Sequence, residues 1–309
     1  MRALVTGGAG FIGSNLVETL LAQGHEVRVI DNFATGHRHN LEPFLDHIEL
    51  VEGDLQSYER AHNAVKGMEV VFHQAALPSV PRSVQDPLTT NAVNITGTLN
   101  VLLSARDSGV RRVVYASSSS VYGNNPVSLR SEDATPEPLA PYAVAKLAGE
   151  HYCRAFARVY DMETVSLRYF NVFGPRQDPF SQYSAAIPRF IRAVAGGETL
   201  TVFGDGEQTR DFTFVDNVVA ANVLAATASI QNGDVFNIAC GESVTVNALV
   251  DELADIMGRA AERAHLPVRP GEVKDSEADI SRARRVLGYE PAVRLREGLE
   301  RTVAWFDRR

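Results

Sequence analysis

Ala3-Leu4-Val5-Thr6-Gly7-Gly8-Ala9-Gly10-Phe11-Ile12-Gly13 decides the fold. The apolar run at its start is long enough for a buried strand once Met1 and Arg2 are added. Past the glycines, Leu16, Val17, Leu20 and Leu21 form the apolar stripe of a helix. Strand, glycine turn and helix, in that order, are the setting a phosphate-binding loop requires. Gly7, Gly10 and Gly13 let the backbone turn tightly, approach a pyrophosphate and pack the helix on the sheet. The helix N-terminus then offers unpaired N–H groups to the anion. The spacing is Gly-x-x-Gly-x-x-Gly, not the Gly-x-Gly-x-x-Gly of many dinucleotide sites, and glycine turns between strand and helix are common. Residues further along the chain raise the signal.

A second strand, Glu26-Val27-Arg28-Val29-Ile30, ends in Asp31-Asn32. An acid about 20 residues past the glycines is placed to bind both hydroxyls of an adenosine ribose. A 2′-phosphate would be repelled there, so the expected cofactor is NAD rather than NADP. The bland alternative for Asp31 is a loop cap, Asp-Asn being a common turn pair.

Outward from this start, strands are expected at 2–6, 26–31, 48–52, 69–73, 111–117 and 164–169, and helices at 11–23, 57–66, 87–108 and 140–160. Such alternation predicts an α/β fold, a doubly wound parallel sheet of Rossmann type with helices on both faces. After Phe170 the pattern changes. Residues 211–239 read as a return to the sheet, with a strand at 211–213, a helix at 215–229 and a strand around 235–238. A short helix is expected at about 184–195. The expected division is a NAD-binding domain from 1–170 and 211–239, and a smaller, discontinuous substrate domain from 171–210 and 240–309. The cleft between two such parts is the default ligand site.

Composition narrows the class. The 309 residues suffice for one large domain and a smaller one. A formal charge of −8 gives no electrostatic reason to expect nucleic acid or an anionic membrane as partner. Two cysteines, Cys153 and Cys240, match no disulfide framework or metal spacing, so no metal is expected. The first strand begins at the N-terminus without a signal peptide, and the most apolar stretch, 218–230, is too short to span a bilayer. A soluble, cytoplasmic protein is the expectation.

Tyr142 and Lys146 lie four apart in Tyr142-Ala143-Val144-Ala145-Lys146, downstream of Ser117-Ser118-Ser119-Ser120. On a helix they share one face. An ammonium there favours the phenolate, so the tyrosine could act as a base below its free pKa of about 10. Alone, the pair would read as a surface contact. Downstream of a dinucleotide loop it reads as a proton-transfer site.

Together, Thr6 to Gly13, Asp31-Asn32, the serine run before Val121-Tyr122-Gly123, the Tyr142/Lys146 pair and Leu167-Arg168-Tyr169-Phe170-Asn171 resemble the extended short-chain dehydrogenase/reductase family. Within it the chain is similar to the nucleotide-sugar 4-epimerases over essentially its whole length. The resemblance implies that Tyr142 is the acid/base for the sugar 4-hydroxyl, and that Lys146 holds the nicotinamide ribose and lowers the tyrosine pKa. It implies that Ser118 hydrogen-bonds the 4-oxygen. It places Phe11 and Ile12 at the pyrophosphate turn, Asp54 and Leu55 beside the adenine, and Tyr169 near the nicotinamide; Gln74, Ala75 and Ala76 follow the fourth strand, at the C-terminal end where doubly wound folds bind ligands. It assigns Asn171, Arg210 and Arg269 to the diphosphate, Val202 to the uracil and Glu272 to the uridine ribose. For Arg210 and Arg269 the alternative is a surface salt bridge; for Glu272, a solvated loop acid.

The implied reaction passes a hydride from C4 to NAD and back to the opposite face of a 4-keto sugar, inverting C4. The related 4,6-dehydratases place an Asp-Glu pair after the catalytic hydroxyl; here those positions are Ser119 and Ser120, which disfavours dehydration. The stretch Leu77 to Ser83 is similar to epimerases acting on N-acetylhexosamines, with Ser79 and Arg82 facing the sugar or diphosphate; the alternative is a helix cap. Ser276 matches a pocket-wall position where a tyrosine would crowd an N-acetyl group. The expected pair is UDP-GlcNAc/UDP-GalNAc, with UDP-Glc/UDP-Gal beside it. A UDP-glucuronate 4-epimerase, with Arg82 or Arg176 as the cation near C6, and a non-catalytic NAD-binding regulator are the alternatives. The resemblance also implies a homodimer built on the helices at 87–108 and 140–160.

Overall fold

The computed structural model describes residues 1–124, 127, 129–179, 185–268 and 274–308. Seven parallel strands form the central sheet. Across it the order is Asp234–Ile238, Glu163–Tyr169, Arg112–Ser118, Val70–His73, Arg2–Thr6, Glu26–Asp31 and Ile48–Glu52. Strands covered on both faces are apolar almost throughout, as Ala3-Leu4-Val5 and Val70-Val71-Phe72 are here. Alternate side chains then supply two cores. Ala3, Val5, Val29, Phe72 and Val114 pack on one face beneath the helices Phe11–Ala22 and Val215–Thr227. Leu4, Ile30, Val71, Val113 and Tyr115 pack on the other, beneath Tyr58–Val65, Gly97–Asp107 and Pro141–Tyr160.

The chain winds outward from Arg2–Thr6 in one direction and returns to Val70–His73 on its other side. Strand order therefore reverses between these two strands, and the crevice beyond their C-terminal ends is where doubly wound sheets bind ligands.

Two expectations are corrected. The strand at 211–213 does not join the central sheet; the strand is Thr213–Phe214, paired with Val172–Phe173. The place beside Glu163–Tyr169 is taken along its length by Asp234–Ile238, so the returning chain pairs beyond the sheet's end, where Thr213 N–H donates to Asn171 O. The helix expected over 87–108 carries a wider π turn at Ala92–Thr96, between Pro87–Asn91 and Gly97–Asp107. That turn points Asn94 inward, where its carboxamide bonds both the N–H and the C=O of Leu77. A smaller sheet, in the order Val244–Thr245, Thr209–Arg210, Asp275–Ala278 and Leu129–Arg130, stands outside the central one. Its last strand comes from the segment expected to belong wholly to the first domain.

Candidate active site

The glycine turn lies at the strand-order reversal. Gly7 has φ +67° and donates from its N–H to Ile30 O at 2.8 Å; a Cβ there would stand 2.7 Å from Ala75 Cα. A Cβ on Gly13 would meet Gly7 O at 2.2 Å. The helix begun by Phe11 and Ile12 is thus pressed onto the turn, with Gly10 as its N-cap and no side chain capping its first N–H groups. Asp31 ends the neighbouring strand, its carboxylate accepting from Ala9 N at 2.9 Å and Phe33 N at 2.8 Å. Burial raises its pKa and these bonds offset part of the rise. Asn32 donates to Asp54 at 3.0 Å, tying the second strand's end to the third's, and Leu55 is buried against the helix at Gly97. Ala75 N–H donates to Thr6 Oγ1, and Ala76 follows, half-buried. Gln74 donates to Tyr169 Oη at 3.1 Å and Asn222 Oδ1 at 2.9 Å. A turn that no side chain fills, a bare helix N-terminus and an acid one strand away fit a dinucleotide.

The proton-transfer groups stand one strand further on. Arg112–Ser118 ends in Ser118, whose Oγ accepts from Ser120 N at 3.2 Å and whose side chain stands beside the Tyr142 hydroxyl, near enough to favour its phenolate. Pro141 opens the helix that carries Tyr142, a first-turn position where its missing N–H costs nothing. Lys146, 4% exposed, donates from Nζ to Ala116 O at 2.8 Å, and burial pushes its pKa down to about 8. Its Nζ lies 5.9 Å from the Tyr142 ring centre. Burial raises the Tyr142 pKa, and the neighbouring Ser118 side chain offsets part of the rise.

A cleft of about 430 Å³ opens over these groups, bordered by Ser118, Tyr142, Tyr169, Asn171, Arg210 and Ser276. Arg210 and Ser276 are register neighbours on adjacent parallel strands. Asn171, at φ 33°, donates to Asp211 O at 2.9 Å. Val80 also borders this cleft, between the expected residues Ser79 and Arg82. Ser79 caps the helix Val80–Gln85, its Oγ accepting from Arg82 N at 3.1 Å, and Arg82 is on that helix. The Val202 side chain is in the core, 1% exposed. Arg176 is paired with Glu18 and Asn15, across from the first helix. Arg269 and Glu272 lie outside the described residues. Two groups that sequence reasoning passed over belong here: Arg130, which borders the cleft, and Asn222, which supports Tyr169 and Gln74. Arg130 reaches it because its strand pairs with Asp275–Ala278, a contact between distant segments that no local pattern signals. Among the described residues no cluster of His, Cys, Asp or Glu could hold a metal ion.

Comparison with known proteins agrees with this geometry. Residues 3–239 match the NAD dependent epimerase/dehydratase family. A UDP-glucose 4-epimerase of Mycolicibacterium smegmatis is 41% identical over 310 residues, covering 99% of this chain and 98% of that protein. The crystal structure of the Thermotoga maritima UDP-glucose 4-epimerase with UDP-glucose superposes at a TM-score of 0.95, with 38% identity over 100% of this chain and 99% of the other. The UDP-N-acetylglucosamine 4-epimerase of Methanobrevibacter ruminantium, in complex with UDP-N-acetylmuramic acid, gives 0.95 and 39% over 99% and 98%. With a glycine turn and a Ser–Tyr–Lys centre already in place, likeness over the whole chain leaves one assignment: this protein belongs to the NAD-dependent epimerase/dehydratase family.

Proposed function

We propose that the protein inverts C4 of a UDP-hexose, with UDP-GlcNAc/UDP-GalNAc as its main pair and UDP-Glc/UDP-Gal beside it. The observation that carries the reading is the placing of Ser118 beside the Tyr142 hydroxyl in a cleft bordered by Arg210 and Ser276. NAD, when bound, supplies a hydride acceptor that returns the hydride, so net redox is zero. Tyr142 takes the 4-hydroxyl proton and gives it back to the opposite configuration. Ser118 holds the 4-oxygen through both transfers. Lys146, buried yet protonated below its pKa of about 8, supplies the positive charge of the site. Arg210 meets the diphosphate; a guanidinium fork suits paired phosphate oxygens. The keto sugar turns about that anchor before the proton and hydride return. No carboxylate borders the cleft among the described residues, so nothing stands ready to expel a 6-hydroxyl.

Ser276 supports the acetylated pair, since a small wall residue leaves room at C2. A second reading, UDP-glucuronate, is favoured by Arg130, a guanidinium bordering the cleft beside Ser119 and Ser120. The purified protein supplied with each UDP-sugar, with the products identified by NMR, decides. The reading expects a C4-epimer mixture from UDP-GlcNAc. Activity on UDP-glucuronate alone would transfer the assignment to Arg130, and bound NAD without turnover would point to a regulator.

We also propose a homodimer. Leu88 (82% exposed), Val84 (64%) and Val144 (48%) crowd the outer side of the helices at 80–91 and 141–160, around an apolar hollow lined by Pro87, Ile95 and Pro141. An apolar surface of this kind marks an association site, and sedimentation in solution tests it.

A further inference from the structure

Tyr142, Lys146 and Glu150 succeed one another at a spacing of four, so one face of the helix Pro141–Tyr160 carries all three. Each meets a successive residue at the end of the strand Arg112–Ser118. Lys146 Nζ donates to Ala116 O, Ser117 Oγ donates to Glu150 Oε1 at 2.5 Å, and the Tyr142 hydroxyl stands beside Ser118. Glu150 is 1% exposed and Arg168 2%. Arg168, the register partner of Ser117 on the next strand, donates through Nε and Nη2 to both carboxylate oxygens, at 2.9 and 2.8 Å. Its guanidinium lies 4.7 Å from the Tyr122 ring centre, and Tyr122 donates to Asn237 Oδ1 at 2.7 Å. Asn237 is in turn the register partner of Arg168. The network runs from the helix through three adjacent strands and starts at Ser117, the residue before Ser118.

We infer that Glu150 and Arg168 are positioning residues, a clamp that sets the helix on the strand and thereby holds Tyr142 against Ser118. A buried ion pair is a poor device for stability, because apolar residues of like volume serve as well. Its two-pronged geometry is a good device for fixing orientation. Tyr142 needs that, since burial raises its pKa and the neighbouring Ser118 side chain is what offsets the rise. The clamp rests on the reading of Tyr142 as the acid/base.

The test uses the full chain with NAD. Glu150→Gln strands a charged Arg168 and should lower the melting temperature; Glu150→Leu with Arg168→Met removes both charges and should restore it. In the restored double variant, kcat on the UDP-sugar pair falls on the order of 10- to 100-fold, as misplaced reacting groups cost, while KM and the Kd for NAD hold. The phenolate midpoint of Tyr142, read as the ultraviolet titration difference from Tyr142→Phe, moves up. Ser117→Ala, which leaves the ion pair whole, shifts kcat and midpoint in the same direction by less, and decides the matter should the double variant not fold. A variant with parental kcat and parental midpoint overturns the clamp, as does a loss of kcat without a shift in midpoint. Full turnover by Tyr142→Phe would sink the acid/base reading instead, while the titration would still judge the clamp.

Discussion

Two residues show how the site departs from a design for stability. Lys146 is buried with its pKa down at about 8 from 10.5, the cause being burial. Below pH 8 it is charged in both the folded and unfolded chain, so folding bears the whole cost of burying the charge. Between 8 and 10.5 the unfolded chain binds more protons than the folded one, and stability rises with pH. Lys146→Met removes that cost, up to ~3 kcal/mol for a shift of this size, less about 1 kcal/mol for the lost bond to Ala116. Denaturant unfolding should therefore find the variant more stable than the parent at pH 7, with the advantage shrinking toward pH 10.5, and inactive at both. A variant less stable at pH 7 would show that the bond outweighs the burial. Ser276 works on specificity. Ser276→Tyr fills the wall of the cleft and should cost the acetylated pair more than UDP-Glc/UDP-Gal, by the ~10- to 200-fold that a one-group steric difference commands. Equal losses in coupled assays on both pairs would remove Ser276 from the wall.

At the scale of elements, the long helix Pro141–Tyr160 depends on how near it lies to the strand below. A Cβ on Gly149 would stand 2.2 Å from Tyr115 Oη and 2.3 Å from Cζ. Helix propensity alone favours alanine there by about 1 kcal/mol; overpacking a close contact costs about 1–3 kcal/mol, and Tyr115 is boxed in, 1% exposed against His73. The steric effect wins: Gly149→Ala should destabilise by about 1–2 kcal/mol and slow turnover, since moving the helix moves Tyr142. A rise in melting temperature would mean that Tyr115 yields. The central strands and the long helices were legible in the sequence because burial on both faces writes an apolar run that needs no partner to be recognised. Where an element's place depends on a distant partner, local pattern failed. Thr213–Phe214 reads as a strand wherever it pairs, and Asn94 shows a π turn only once Leu77 is seen against it. The same divide runs through the site. Gly7, Asp31, Tyr142 and Lys146 were found by spacing along the chain, whereas Arg130 and Asn222 enter through contacts across it. Glu150 shares the spacing of Tyr142 and Lys146, and that signal was there to be read.

The whole molecule carries two buried titrating groups that oppose one another. His73, 1% exposed between Thr6 Oγ1 and Thr98 Oγ1 at 2.8 and 2.9 Å, is pushed down to about 3, by burial first and by the Lys146 charge second. Asp211 lies at the end of the second sheet and accepts from Cys240 N and Gly241 N at 2.9 Å and from Ala278 N at 3.4 Å. Burial, only partly offset by those bonds, raises it to about 7. Between their ordinary values, 3.8 for the acid and 6.5 for the histidine, the signs differ. The unfolded chain protonates His73 and the folded chain does not, so that group makes stability rise with pH. The folded chain keeps Asp211 protonated and the unfolded chain does not, so that group makes stability fall with pH. Each amounts to ~3 kcal/mol between about pH 4 and 6.5, and in the parent they largely cancel. Chemical denaturation across that range should show His73→Gln losing stability relative to the parent as pH rises, and Asp211→Asn gaining it. The comparison removes the exposed carboxylates, which titrate alike in all three proteins. Parallel pH curves for all three would show that neither group titrates as its burial dictates. Opposite slopes would locate the cancellation in one histidine beneath the cofactor turn and one aspartate between the strands that present Arg210 and Ser276.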